Sequence, residues 1–366
     1  MLQVACVAGA RPNFMKIAPI LRALRADRHF APPLFVHTGQ HYDYSMSEVF
    51  LRDLGLPPPD ALFEVGSESH AVQTAKVMAA TEQLLNRYPV DWVVVVGDVN
   101  STLGAALTAA KRGVPVAHVE AGLRSGDLGM PEEINRIATD HFSHLLLLSS
   151  ADAGENLVQE GIDQGRQRLV GNVMIDSLLR VLPTARAART WERFGLERKG
   201  YLVMTAHRPE NVDNRLRLRR LAEIMELAVA RLPLVMPLHP RTRTRLEGAG
   251  MLENLQHLAG LHLTEPMGYV DFLGLLEGSA GALTDSGGLQ EETTYLGIPC
   301  LTLRDNTERP ITATIGTNTL TGLDPDAVLD VLQRVLEGKY KQGGIPPLWD
   351  GDTAKRIAAA LVEFSA

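Results

Sequence analysis

The chain has 366 residues, 45% of them hydrophobic, and a formal net charge of −7. That composition can build two globular cores, and the intermixing of acid and base excludes a basic nucleic-acid-binding face. Two cysteines, Cys6 and Cys300, are too few for a disulfide framework and fit a reducing compartment.

In chain order, short β-branched runs alternate with amphipathic stretches, the pattern of βαβ units and a parallel sheet. Strands are expected at Val4–Ala8, Leu34–His37, Trp92–Val96, Val116–Val119 and Leu145–Leu148. Between the first two, Phe14, Ile17, Ala18, Leu21 and Leu24 recur at helical spacing and form a face that packs on a sheet. Pro57-Pro58-Pro59 reads as a rigid loop. A helical, charged crossover runs from Val173 to Gly200. A second set of strands follows at Tyr201–Thr205, Leu234–Met236, Gly281–Thr284 and Pro299–Leu303, and Thr353–Ser365 ends the chain as an amphipathic helix. The expected architecture is α/β. Two doubly wound Rossmann-like domains, residues 1–172 and 173–352, face a cleft at the carboxyl ends of their strands, where open sheets bind ligands. The N-terminal run Met1–Val7 lacks the length and basic leader of a signal peptide. The longest apolar runs, Trp92–Val96 and Leu145–Leu148, have the length of buried strands, not membrane spans. A cytoplasmic protein without a membrane partner is expected.

Several motifs fall at expected strand ends. Gly9-Ala10-Arg11-Pro12-Asn13-Phe14-Met15-Lys16 follows a strand and opens a helix, where free N–H groups and the cations Arg11 and Lys16 suit a diphosphate. The plainer reading is a turn with solvated charges. Asp98, in Gly97-Asp98-Val99-Asn100, and Glu120, in His118-Val119-Glu120-Ala121-Gly122-Leu123-Arg124, end two strands on one sheet edge. Asp98 alone could be a cap, whereas Glu120 precedes Ala-Gly and not a helical pattern. Glu132 opens a helix after Pro131 and can pair with Arg136 at i, i+4, which is also how an ordinary helix start looks. In the second half, His207 follows a strand and could meet an anion or simply bond to backbone. In Asp285-Ser286-Gly287-Gly288-Leu289-Gln290-Glu291-Glu292, Ser286 can cap the next helix, the glycine pair admits a phosphate or ribose, and Glu292 could accept from ribose hydroxyls. A Gly-Gly helix start also serves tight turns. The chain has no Gly-x-Gly-x-x-Gly after a strand, no phosphate-binding Walker loop, no Gly-x-Ser-x-Gly elbow and no His-Glu-x-x-His array. No nicotinamide cofactor and no metal is therefore expected.

Together these motifs, with Arg304-Asp305-Asn306-Thr307-Glu308-Arg309-Pro310, resemble the non-hydrolysing UDP-N-acetylglucosamine 2-epimerases from Gly9 to about Gly322. The resemblance implies the two-domain GT-B fold, with the C-terminal helix, about 353–366, packed back on the first domain, and a homodimer. It implies that Asp98, Glu120 and Glu132 are the catalytic carboxylates, with His207 at the UDP diphosphate. Arg11, Lys16 and Arg309 become cationic ligands, Phe272 stacks on uracil, and Ser286, Gly287, Gly288 and Glu292 contact phosphate and ribose. In some members the segment after Thr38-Gly39-Gln40-His41 binds a second UDP-sugar, which makes Gln40 and His41 regulatory candidates. This chain departs from many members in having Asn13 in place of Glu, and Tyr42-Asp43-Tyr44-Ser45-Met46 where Arg-Glu is common.

The implied substrate is a UDP-N-acetylhexosamine. Its carbon 2 hydrogen is not acidic, so inversion needs either oxidation at carbon 3 by a nicotinamide or loss of UDP from carbon 1 to give a 2-acetamidoglycal. The missing dinucleotide motif favours elimination, which needs an acid, a base and cations for the departing diphosphate. Clustered carboxylates are expected to raise one another's pKa values so that one stays protonated. A hydrolysing epimerase, a 2-epimerase of a UDP-diacetamido uronic acid, a GT-B glycosyltransferase and a sugar-nucleotide sensor are the alternatives.

Overall fold

The computed structural model describes residues 1–39 and 53–365. They divide into two compact units, Met1–Leu179 with Pro347–Ala366, and Arg180–Pro346. The first unit holds a parallel sheet in the order β3-β2-β1-β4-β5-β6-β7. Its strands are β1 Val4–Ala8, β2 Leu34–His37, β3 Ala61–Leu62, β4 Trp92–Val96, β5 Val116–Val119, β6 Leu145–Leu148 and β7 Gln167–Leu169. The second holds a parallel sheet in the order β10-β9-β8-β11-β12-β13. These are β8 Leu202–Thr205, β9 Leu234–Pro237, β10 Leu261–Thr264, β11 Gly281–Thr284, β12 Cys300–Thr302 and β13 Asn318–Leu320. The fold class is α/β, with helices flanking each sheet.

β1, β4, β5, β6, β11 and β12 are buried along their whole length because helices cover both sheet faces, and β4 and β6 read as unbroken apolar runs. Every strand that the sequence pattern misses is a sheet edge: β3, β7, β10 and β13. Edge strands are short and half exposed, and Gln167-Arg168-Leu169 and Leu261-His262-Leu263-Thr264 carry polar residues that dilute the signal.

In the first unit the predicted helical face is realised in the helix Arg11–Ala26, where Phe14, Ile17, Ala18, Leu21 and Leu24 are all buried. The C-terminal helix Thr353–Glu363 packs against it. The expected domain boundary at residue 173 moves. The division falls inside the helix Val173–Ala188, whose first turns belong to the first unit. There Ser177 donates to the Met15 carbonyl at 2.5 Å and Asp176 accepts from the Thr353 and Ala354 amides. The return also starts earlier, at Pro347, where the Trp349 indole donates to the Ser149 carbonyl at 3.0 Å. Among the described residues no helix is long and apolar enough to cross a membrane.

In both sheets the chain reverses its winding direction beside the first strand of the set, between β1 and β4 and between β8 and β11. Loops leave such a point on opposite faces, and ligands of open sheets settle there. The loop after β5 must turn sharply. Gly122 lies at φ +78°, and a Cβ there would come within 2.3 Å of the Ala153 carbonyl oxygen and 3.0 Å of Leu157. We expect Gly122→Ala to lower the stability of the first unit by about 2 kcal/mol or more, from left-handed strain plus the clash. Urea denaturation checks this, and a midpoint equal to wild type would refute the close approach.

Candidate active site

At the switch point of the first unit, β1 runs into Gly9-Ala10 and the helix Arg11–Ala26. The Asn13 side chain closes this turn. Its Oδ1 accepts from the Gly9 and Ala10 amides at 3.2 and 3.0 Å, and its Nδ2 donates to the Val96 carbonyl at 3.0 Å. A glutamate could accept but could not make the bond to Val96, so Asn13 ties the β1 loop to the end of β4. One turn on, Lys16 is buried and its Nζ pairs with the Glu120 carboxylate after β5. Gly97, at φ +68°, lies against this pair. A Cβ there would sit 3.1 Å from Lys16 Nζ and 3.5 Å from Glu120 Oε2. Glu120 itself adopts φ +69°. For a residue with a side chain that conformation costs on the order of 1–3 kcal/mol, and it persists only where the surroundings impose it.

Asp98 follows Gly97, and its carboxylate pairs with Arg136 on the helix Pro131–Phe142. Here the structure corrects the expected pairing on that helix. Arg136 is taken by Asp98 and by Glu133 at i, i+3 (3.1 Å), not by Glu132. Glu133 is buried and also accepts from the Ser125 and Gly126 amides. Glu132 is half-buried in the first turn and has no ion-pair partner among the described residues. Two of the three carboxylates pair with cations: Glu120 with Lys16, Asp98 with Arg136. Lys16, expected as a diphosphate ligand, pairs with Glu120.

In the second unit, His207 stands two residues past the end of β8 and Asp285 one residue past the end of β11. Asp285 is buried and accepts from the backbone amides of His207 (2.9 Å) and Arg208 (2.9 Å), while His207 Nδ1 lies 3.1 Å from its Oδ1. Burial alone would raise the Asp285 pKa. The bonds to His207 and to the two amides outweigh it and hold the carboxyl below its ordinary range. The His207 side chain stays 39% exposed, so its ring can still meet a ligand.

The helix Gly287–Leu296 starts after Ser286, which stands at the cap position. The expected cap is absent. The Ser286 side chain makes no bond to the helix, and its amide donates to Thr284 Oγ1 at 2.9 Å. The first-turn N–H groups of Gly287 and Gly288 are thus left to an outside acceptor. Gly287 is required by Arg309, since a Cβ would lie 2.5 Å from its guanidinium Nη1. Glu291 holds that guanidinium through Nε at 2.7 Å. Glu292 is buried and accepts from the Tyr269 hydroxyl at 2.8 Å. Burial pushes its carboxyl up to about 7, partly opposed by the Tyr269 bond and reinforced by the neighbouring Glu291 charge. Phe272 is half-buried between the Trp191–Tyr201–Leu275 cluster and the Leu276–Leu289 cluster. Gln40 and His41, and the Arg11 side chain, lie outside the described residues.

The motif reading missed His118, Asp140, Glu133, Asp285, Glu291 and Tyr269 as supporting groups. A signal existed for some. His118 is polar in the buried strand Val116–Val119, and Glu133, Arg136 and Asp140 recur at helical spacing on one buried face. His141 bonds the Ile137 carbonyl, and His144 Nδ1 accepts from the Val116 amide.

Glu292 supplies a stability test. In the folded protein it keeps its proton to about pH 7, while its unfolded counterpart releases it near 4.5. Between these values the folded state binds more protons, so stability falls as pH rises through the window and levels off above it. We expect Glu292→Gln to remove a loss of about 3 kcal/mol between pH 4.5 and 7. Urea midpoints measured across that range check it; equal pH slopes for the two proteins would refute it.

Comparison with known proteins places the chain. The model of the UDP-N-acetylglucosamine 2-epimerase family matches residues 22–362. The UDP-N-acetylglucosamine 2-epimerase of Methanocaldococcus jannaschii is 38% identical over 368 residues, covering 98% of this chain and 99% of the relative. The UDP-2,3-diacetamido-2,3-dideoxy-D-glucuronate 2-epimerase of Pseudomonas aeruginosa is 37% identical over 367 residues, covering 99% and 100%. A crystal structure of Methanocaldococcus jannaschii UDP-GlcNAc 2-epimerase in complex with UDP-GlcNAc and UDP matches with a TM-score of 0.91 at 37% identity, covering 99% of this chain and 100% of that one. The parallel-sheet α/β fold is that of these GT-B-like neighbours. By a family match over most of its length and by relatives similar from end to end, this chain belongs to the UDP-N-acetylglucosamine 2-epimerase family.

Proposed function

We propose that the protein inverts carbon 2 of a UDP-N-acetylhexosamine, interconverting UDP-GlcNAc and UDP-ManNAc without releasing free sugar. The observation that carries this reading is the pair of cation-held carboxylates, Asp98 and Glu120, at adjacent strand ends of a chain in this family. The carbon 2 proton passes to a carboxylate as the bond from carbon 1 to the diphosphate oxygen breaks. Its electron pair leaves with UDP, and a carbon 1–carbon 2 double bond remains. UDP oxygen then adds back to carbon 1 while a second acid protonates carbon 2 from the opposite face. Asp98, Glu120 and Glu132 supply the proton-handling groups, and Lys16 and Arg136 hold two of them in place. His207, Arg309, Arg11 and the amides of Gly287 and Gly288 stabilise the diphosphate, Glu292 meets the ribose and Phe272 the uracil. The reading extends to a cytoplasmic homodimer. A UDP-diacetamido uronic acid is the second substrate reading, supported by the 37% identity to the Pseudomonas relative.

Proton NMR with each UDP-sugar in heavy water, with EDTA and without added nicotinamide, tests the chemistry. We expect UDP-GlcNAc to equilibrate with its carbon 2 epimer and deuterium to enter at carbon 2. Free ManNAc would point to hydrolysis, and product without deuterium would defeat proton exchange through these groups. In Asp98→Asn, Glu120→Gln and Glu132→Gln, kcat should fall by about 10²–10⁴-fold, the usual loss of a general acid or base.

The nucleotide side is tested separately by titration calorimetry with UDP. His207→Ala and Arg309→Ala each remove a charge-assisted contact and should weaken binding by about 1.5–3 kcal/mol. Gly287→Ala should do the same by pushing the Arg309 guanidinium aside. Wild-type affinity in all three would remove this helix start from the site.

A further inference from the structure

We infer that Asp140 is a positioning residue for this chemistry: one buried carboxylate holds the His118 side chain before Glu120 and the Gly122 amide after it and, through His118, the carbonyl that precedes Asp98. The inference rests on the reading of Asp98 and Glu120 as proton-handling groups.

Asp140 lies in the last turn of the helix Pro131–Phe142 and is fully buried. Both features disfavour a carboxylate, since the helix carboxyl end carries negative partial charge and burial removes hydration. Its donors offset this. His118 Nδ1 lies 2.7 Å from Oδ1, and the Gly122 amide and Arg124 Nη2 lie 3.1 and 2.8 Å from Oδ2. Burial raises the Asp140 pKa, but His118 and Arg124 together bring it below its ordinary range. All three donors come from the single segment His118–Arg124, on either side of Glu120. Glu120 sits there in the left-handed region, a conformation its own side chain does not favour.

His118 carries the constraint to the neighbouring strand end. Its Nε2 is 2.7 Å from the Gly97 carbonyl oxygen. That oxygen can only accept, so a hydrogen bond to it needs the hydrogen on Nε2, while Nδ1 faces the Asp140 carboxylate. Gly97 in turn donates its amide to the Val119 carbonyl at 3.1 Å. The left-handed turn before Asp98 and the left-handed Glu120 are thereby laced into one unit. The same helix holds the Asp98 carboxylate through Arg136, one turn before Asp140. It therefore fixes the Asp98 carboxylate by one side chain and the Glu120 backbone by another.

Asp140→Asn keeps the side-chain volume but turns an N–H toward one set of donors. We expect kcat per folded molecule to fall about 10- to 100-fold, the scale of losing a supporting partner. KM and the UDP dissociation constant should stay within about threefold. His118→Gln breaks the relay and leaves Asp140 its bonds to Gly122 and Arg124, and a comparable loss is expected. Because both act along one path, the double variant should fall no further than the weaker single. A crystal structure of either variant should show Glu120 leaving the left-handed region. Folded His118→Gln with wild-type kcat, additive losses in the double variant, or Glu120 unmoved would each overturn the inference. If Asp140→Asn does not fold, His118→Gln carries the kinetic and structural tests alone. Wild-type protein that does not epimerise at all defeats the proposed function, and the Glu120 conformation in His118→Gln still decides the positioning role.

Discussion

A carboxylate cannot be kept ionised inside a protein without a partner for its charge, and the first unit is organised around that constraint. Glu120 lies at the end of a buried strand and is matched by Lys16, which reaches it from the helix after β1. Asp98 is matched by Arg136, itself buried and shared with Glu133. Removing either cation would leave an uncompensated charge, which costs far more than losing an exposed pair. The pairs also set geometry. Four segments distant in sequence, the helix after β1, the loops after β4 and β5 and the helix Pro131–Phe142, are tied at one sheet edge by two ion pairs. Gly97 lies against Asn13 and the Lys16–Glu120 pair.

The second unit solves a different problem with related means. Its strand ends offer backbone N–H groups and a part-exposed imidazole. Asp285 ties the amides of His207 and Arg208 to the end of β11, so the loop after β8 is fastened to the segment that starts the helix after β11. Glu291, inside the following helix, aims Arg309 back at Gly287. The missing side-chain cap at Ser286 belongs to the same design. A helix start that satisfied itself would have no N–H groups to give to a phosphate. Glu292, buried and proton-retaining to about pH 7, adds a group whose charge responds to the pH range in which enzymes work.

Much of this was legible in the chain itself. The inner strands announce themselves because burial on both faces demands unbroken apolar runs, and Trp92-Val93-Val94-Val95-Val96 leaves no other reading. The helix Arg11–Ala26 is written in the spacing of its five buried apolar residues. Acids and glycines just past those strands mark the candidate site, because a strand end is where a side chain leaves the core. The sheet edges were not legible, since half-exposed strands of two to four residues carry no distinguishing pattern.

Pairing was decided only in three dimensions. Spacing along the helix allowed Arg136 to meet Glu132, and the fold gave it to Glu133 and Asp98. Lys16 and Glu120 lie 104 positions apart in the chain, and the fold brings the ammonium to that carboxylate. Ser286 had the chemistry of a cap and does not act as one. His118 and Asp140 are separated by 22 positions and meet because β5 and the helix Pro131–Phe142 pack together. Local sequence determines which residues are polar, apolar or free to turn, since those properties are carried by single side chains and near neighbours. Which charge answers which depends on segments far apart in the chain, and only the packed sheets bring them within a hydrogen bond of one another.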